Sequence, residues 1–273
     1  YSTFILLQMV ATQINSSVDQ ILIGSLVSAS AAILAVYSVG TQIVQYFQSI
    51  GSSFTGVLMP GIVSMVENGA DAKQLTDEMV RIGRIIFMVL GLILCGFIVC
   101  GRQFVILWAG SDNSDAYIVA VILMTAYLII LTEAIGTQVL WAMNEHKEQS
   151  VLKIVIVLLN IVLTAFLINW DPLIGATVGT FISLILGDVV VMNIIFAKKI
   201  GINLGCYYRS LFRGILPALV ISTLLGAGVK MFVHSGWTGM LISAFAMTAA
   251  YAVCMLMFGM NQYEKHLAFS LLN

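Results

Sequence analysis

Three carboxylates and one line of amides and hydroxyls stand inside stretches that are otherwise apolar, and these are the residues through which the chain could do chemistry. Tyr37, Thr41, Gln45, Gln48, Ser52 and Thr55 recur at spacings of 4, 4, 3, 4 and 3. At about 100° per residue, a helix gathers them into a sector of roughly 80°. Interhelical hydrogen bonding, with Gly51 and Gly56 allowing close approach, would account for the hydroxyls. Two glutamines and a tyrosine exceed what packing requires, so the stripe reads as a cavity wall suited to sugar hydroxyls. Asn160 and Thr164, one turn apart, form a second polar line, and Asn160 joins the stripe as a candidate cavity residue. Lys153, two turns before Asn160, is expected to snorkel to the cytoplasmic water, or else to meet an anionic head group.

Asp19, Glu133 and Asp188 are the ion-coupling candidates. A carboxylate among lipid chains must face a cavity, pair with another group, or carry a proton. Asp19 follows Asn15 by one turn. Glu133 is expected to lie deepest of the three, with Gly136 and Thr137 leaving room for water beside it, and is singled out for coupling. For each carboxylate the competing assignment is a hydrogen-bonded structural group. Gly175, Gly179, Ser183 and Gly187, each four residues after the last, form a stripe for close helix packing, or a hinge.

No nucleophile elbow, phosphate-cradling glycine loop or paired-carboxylate motif is present in the sequence, so no catalytic residue and no enzymatic activity is expected. His146, His234 and His266 lack metal-ligand spacing, which leaves no metal site and no cofactor beyond a coupling H+ or Na+. Cys95, Cys100, Cys206 and Cys254 show no CxxC pattern and read as packing residues.

The elements that must hold these groups are helices in lipid. Of 273 residues, 60% are hydrophobic and 9% charged, against roughly a quarter charged in a soluble domain. Too few charges exist to cover a soluble surface, and the same numbers exclude disorder. A formal net charge of −1 without a long basic stretch argues against nucleic acid. Apolar runs at about 3–25, 31–59, 84–101, 116–142, 151–169, 173–197, 211–232 and 239–259 predict eight transmembrane helices and an all-α fold. The runs are too long, and lack the alternation, for a membrane barrel. Pro217 predicts a local kink in the seventh run, whereas Pro60 and Pro172 fall at run ends, where a proline disturbs nothing.

Positive charge sorts by connection. Lys73, Arg81, Arg84, Lys147, Lys153, Lys198, Lys199, Arg209, Arg213 and Lys265 fall on one side, and Arg102 and Lys230 on the other. The positive-inside rule then puts both termini in the cytoplasm. Outward connections are short, leaving no room for the acid, base and acceptor site of a membrane glycosyltransferase or polymerase. The longest inward loop, about 60–83, carries an Asn68-Gly69 turn and an amphipathic approach to the third run. The chain opens on Tyr1 with no charged region before its first apolar run, which reads as part of a longer protein rather than as a signal peptide.

Several strings carry a resemblance. SVDQILIG at 17–24, LAVYSVGTQIVQYFQSIGSSFTGVLMPGIVSMV at 34–66, GRQFVILWAG at 101–110, WAMNEHKEQS at 141–150 and IGATVGTFISLILGDVVVMNIIFAKKIGINL at 174–204 resemble the second half of Wzx-type polysaccharide flippases of the multidrug/oligosaccharidyl-lipid/polysaccharide exporter superfamily. The resemblance covers about 1–210. It implies one six-helix lobe of a two-lobed MATE-like transporter over 1–210, and two additional terminal helices with a cytoplasmic tail over 211–273. Such proteins sit in the bacterial cytoplasmic membrane and flip undecaprenyl-diphosphate-linked oligosaccharide units to the outer leaflet by alternating access, in O-antigen and lipopolysaccharide biosynthesis. The implied partners are the lipid-linked oligosaccharide, membrane lipid and the N-terminal lobe, which is missing from this chain. A multidrug or cation antiporter of the same superfamily is the nearest alternative. A membrane glycosyltransferase and a purely structural membrane partner are more distant ones.

Overall fold

A computed structural model describes residues 2–27, 30–143, 145–233 and 236–270; about 90% of the chain is helical, and no strand occurs among the described residues. The helices are α1 (Ser2–Leu26), α2 (Ser30–Glu67), α3 (Ala72–Ala109), α4 (Ala116–Thr132), α5 (Ala134–Ala142), α6 (His146–Leu167), α7 (Pro172–Leu184), α8 (Met192–Ile195), α9 (Leu204–Phe212), α10 (Ile215–Phe232), α11 (Trp237–Cys254) and α12 (Gln262–Ser270). Wider π-helical turns at Ile185–Val191 and Phe196–Ile200 carry α7 through α8 into one rod. Another, Met255–Gly259, ends α11.

Among the described residues, five helical stretches are long and apolar enough to cross a membrane: Ala72–Ala109, Gln149–Leu167, Pro172–Ile200, Leu204–Phe232 and Trp237–Gly259. Counting each of two bent pairs as one span gives seven. This is a multi-pass membrane protein. α1 is not in that set; Thr12, Gln13, Asn15, Ser16, Ser17, Asp19 and Gln20 dilute its apolar run.

Two layers surround the site. α6 packs between α1 and α7, α4 packs between α2 and α3, and the contacts of α1 with α2 and of α4 with α7 join the layers. The glycine stripe makes the first layer tight. A Cβ at Gly175 would run into the carbonyl of Leu167, one at Gly179 into Thr164, and one at Gly187 into the side chain of Ile156, all on α6. On α2, a Cβ at Gly40 would strike Val119 and one at Gly51 would strike Leu131, so both glycines bring α2 onto α4.

Several local expectations are corrected. The inward loop at 60–83 shrinks to residues 68–71, because α2 runs on to Glu67 and α3 begins at Ala72. The amphipathic approach is the first turns of a 38-residue α3, started by a capping box in which Asp71 accepts from the Gln74 amide at 2.7 Å and Gln74 Oε1 accepts from the Asp71 amide at 2.9 Å. Pro60 lies inside α2, where its missing N–H accompanies a 44° bend between Ala31–Gly56 and Pro60–Glu67. Pro217 kinks nothing. It stands in the first turn of α10, where an amide donor is not needed, after a break at Arg213 and Gly214 (φ +80°).

The α10–α11 pair packs on α3, and Arg84 fastens that end of it. Arg84, which reads as a flanking cytoplasmic charge in the sequence, is 6% exposed. Its guanidinium donates to Glu264 Oε1 at 2.5 Å and Oε2 at 3.0 Å, and to the carbonyls of Ser210 at 2.6 Å, Gly259 at 2.8 Å and Arg213 at 3.0 Å. Glu264 in turn caps α12, accepting from the Asn261 amide at 2.9 Å. Beside this cluster, Arg81 donates to the Tyr263 hydroxyl and lies over the Tyr263 ring, 4.2 Å from its centroid.

Candidate functional site

A cavity of about 330 Å³ opens among α1, α2, α4, α6 and α7. Its polar wall comes from Asn15 and Asp19 on α1, Tyr37, Thr41, Gln45 and Gln48 on α2, Tyr127 on α4, Lys153 on α6, Thr180 on α7 and Asp188 on the π-helical turn. Each helix delivers its groups by simple spacing. Asn15 and Asp19 are four apart, as are Asn160 and Thr164, so each pair shares one helix face.

At one end of the cavity the side chains close into a network. The Tyr37 hydroxyl and the Thr180 hydroxyl each donate to Asp19 Oδ2 at 2.6 Å. Thr164 Oγ1 lies 3.2 Å from Asp19 Oδ1 and 3.0 Å from Asn160 Oδ1, and Thr180 Oγ1 lies 3.2 Å from Asn160 Oδ1. Asn160 Nδ2 donates to Asn15 Oδ1 at 3.1 Å. A threonine hydroxyl has one proton to give, so Thr164 and Thr180 cannot serve both Asp19 and Asn160 at once. The cluster therefore holds more oxygen lone pairs than protons. Asp19 is 3% exposed, Asn160 fully buried. Such an oxygen-rich pocket around one carboxylate suits a proton or a small monovalent cation. Among the described residues, no three His, Cys, Asp or Glu side chains lie close enough to hold a metal ion.

At the other end Lys153 Nζ lies 2.6 Å from Asp188 Oδ1. The expectation that Lys153 snorkels to the cytoplasm is corrected: the buried carboxylate one helix away is the nearer counter-charge, and the side chain turns inward to it.

The structure does not bring every candidate together. Ser52 lies outside the cavity lining, its hydroxyl donating to the Gln48 carbonyl at 2.9 Å, and Thr55 donates to the Ser52 carbonyl. Asn160 is behind the wall rather than on it, acting through the Asp19 network. Glu133 is elsewhere, at the break between α4 and α5, which meet at 42°. Its Oε1 accepts from Asn193 Nδ2 at 2.9 Å and from the Tyr208 hydroxyl, while its Oε2 is buried without a partner among the described residues. The neighbouring Tyr207 hydroxyl donates to the Thr132 carbonyl at 3.0 Å. The water space expected beside Glu133 at Gly136 is filled, since a Cβ there would meet Phe196 and Met79. Glu133→Gln keeps the acceptor that Asn193 and Tyr208 use, so its thermal unfolding midpoint should stay within a few degrees of wild type, a stability change under about 1 kcal/mol. A drop of more than ten degrees would show that the ionised form holds the bend.

Thr180 and Tyr127 were not among the sequence candidates. Thr180 stands two helical turns before Asp188 and could have been found from that spacing; Tyr127, in a run that is nearly all aliphatic, gave no signal. His234 and Ser235 lie outside the described residues, as do the side chains of His146 and Lys147.

The fold and site define a polytopic helical protein with a polar chamber between its helices. Residues 1–118 match a family model, Polysacc_synt_3, described as "Polysaccharide biosynthesis protein", and this supports a polysaccharide-biosynthesis family. The matched stretch contains Asp19 and the α2 stripe. No curated protein and no solved structure matches the chain.

Proposed function

We propose that the chain forms one lobe of an alternating-access flippase that carries lipid-linked oligosaccharide across the bacterial cytoplasmic membrane. The observation that carries this reading is a chamber whose wall is built from amide and hydroxyl groups of α2, within the segment that matches a polysaccharide-biosynthesis family. A second observation supports a facing lobe. Gln45, Ser49, Ser52 and Ser53 are exposed on α2, and polar groups at membrane depth need protein or water across from them. Coupling belongs to Asp19 rather than to Glu133, because Asp19 lines the chamber and Glu133 does not. The test is complementation: in cells lacking the full-length gene, lipid-linked glycan should accumulate on the inner leaflet and return to the outer leaflet with the gene restored. Unchanged outer-leaflet glycan in the deletion would defeat the reading.

The organic-cation antiporter is favoured by one observation, that the chamber lining has two carboxylates, one ammonium, and Tyr37 and Tyr127. Drug susceptibility of the same deletion separates the two activities.

The proposed topology is eight spans with both termini cytoplasmic. Cysteines placed at Ser111 and Ser235 should react with an impermeant thiol reagent from outside, and those at Lys73 and Lys199 only after permeabilisation. Reversal at any of these positions overturns the span count.

A further inference from the structure

The charge in the chamber is uneven for a site that would hold neutral sugar alone. Lys153 is the one Lys or Arg among the described residues lining it. Its pairing with Asp188 is lopsided, since the Lys153 side chain is 28% exposed and that of Asp188 is 8%. The carboxylate is thus the more enclosed partner, while the Lys153 side chain lines the chamber and keeps the larger exposed share. An ammonium has three donors, and the contact with Asp188 uses one. Thr41, Gln45 and Gln48 line the same chamber and can add neutral donors to whatever Lys153 holds.

Resting on the transport reading above, we propose that Lys153 is an anion subsite for the phosphate-ester group of an amphipathic ligand, with Asp188 as the resident counter-ion that the ligand replaces. An unpaired ammonium at membrane depth is costly, and Asp188 keeps the empty site neutral. A phosphate ester offers several charged acceptors in place of one carboxylate oxygen, and charge-assisted hydrogen bonds of this kind are the strong ones. Two consequences follow from the exchange. Removing the ammonium removes the subsite, and neutralising Asp188 frees the ammonium and tightens it.

The experiment measures binding of radiolabelled farnesyl diphosphate to the chain in phosphatidylcholine nanodiscs, with farnesol and inorganic diphosphate as competitors. Lys153→Gln should weaken farnesyl diphosphate binding about tenfold, and Lys153→Arg should keep it within about threefold. Asp188→Asn should tighten it about fivefold. Farnesol should compete equally with wild type and Lys153→Gln, because it lacks the anion. Competition by inorganic diphosphate, or by phosphatidylglycerol added to the discs, that disappears in Lys153→Gln shows the same subsite reading a free phosphate or a phospholipid head group. The double variant Lys153→Gln, Asp188→Asn has no buried charge to strand, so weak binding by that variant with a wild-type melting profile supports the subsite free of folding effects. Unchanged binding in Lys153→Gln or in the double variant, or weaker binding in Asp188→Asn, overturns it. These results are separable from the transport reading: the glycan assay in cells tests flipping whether or not Lys153 holds the phosphate.

Discussion

Arg84→Met should cost the protein about 3–5 kcal/mol, the penalty for removing one partner of a buried ion pair. The side chain is saturated: two bonds reach Glu264 and three reach backbone carbonyls of Ser210, Arg213 and Gly259. Methionine keeps much of the volume and none of the donors. Glu264, 4% exposed, is left as an uncompensated buried charge, and the end of α11 loses its tie to α3. Limited proteolysis should therefore cut first between α11 and α12, with the rest of the bundle intact. Adding Glu264→Gln to Arg84→Met should recover part of the loss, because the stranded charge is gone. Equal stability of Arg84→Met and wild type in thermal unfolding would show that the ion pair does not hold the C-terminal helices.

Asp19→Asn should abolish cation-linked stabilisation. With a ligand at one hundred times its dissociation constant, wild type gains about 2.7 kcal/mol, and the variant should gain none. Tyr37 and Thr180 both donate to Asp19 Oδ2 at 2.6 Å. An asparagine amide can accept at one position only, so an N–H group then confronts a hydroxyl that had a carboxylate oxygen before it. The remaining oxygens, of Asn160, Thr164 and Thr180, lose the negative charge that would hold a cation among them. The measurement is the unfolding midpoint in sodium, in a bulky organic cation, and across pH 5 to 8. Glu133→Gln is the control and should keep the wild-type response. A shift retained by Asp19→Asn and lost by Glu133→Gln would return coupling to the helix break.

What the sequence made legible was periodicity along single helices. The stripe Tyr37, Thr41, Gln45, Gln48 reaches the chamber wall as its spacing predicts, and the Gly175 to Gly187 stripe packs as close as small residues allow. What it hid were pairings between helices. Lys153 and Asp188 are 35 residues apart, Asp19 and Thr180 161 apart, Arg84 and Glu264 180 apart, and nothing in local pattern says that two such groups meet. Arg84 misled because a charge at the edge of an apolar run normally faces water, and here the terminal helix covers it. Beside Glu133 the sequence hid a packing contact of the same kind: Gly136 makes room for Phe196 and Met79 where its small size reads as space for water.

The break between α4 and α5 also bears on how the chain is made. Thr132 has its carbonyl satisfied by Tyr207, and Glu133 is satisfied in part by Tyr208, each from 75 residues further along. Synthesis at roughly 5–20 residues per second leaves these two groups waiting roughly 4–15 s for α9. Until then the Thr132 carbonyl lies within a nascent span where lipid offers it no donor, and Glu133 has the Asn193 amide alone. The two hydroxyls that meet the α4–α5 break thus reach it only with α9, which follows α6 and α7 in the chain.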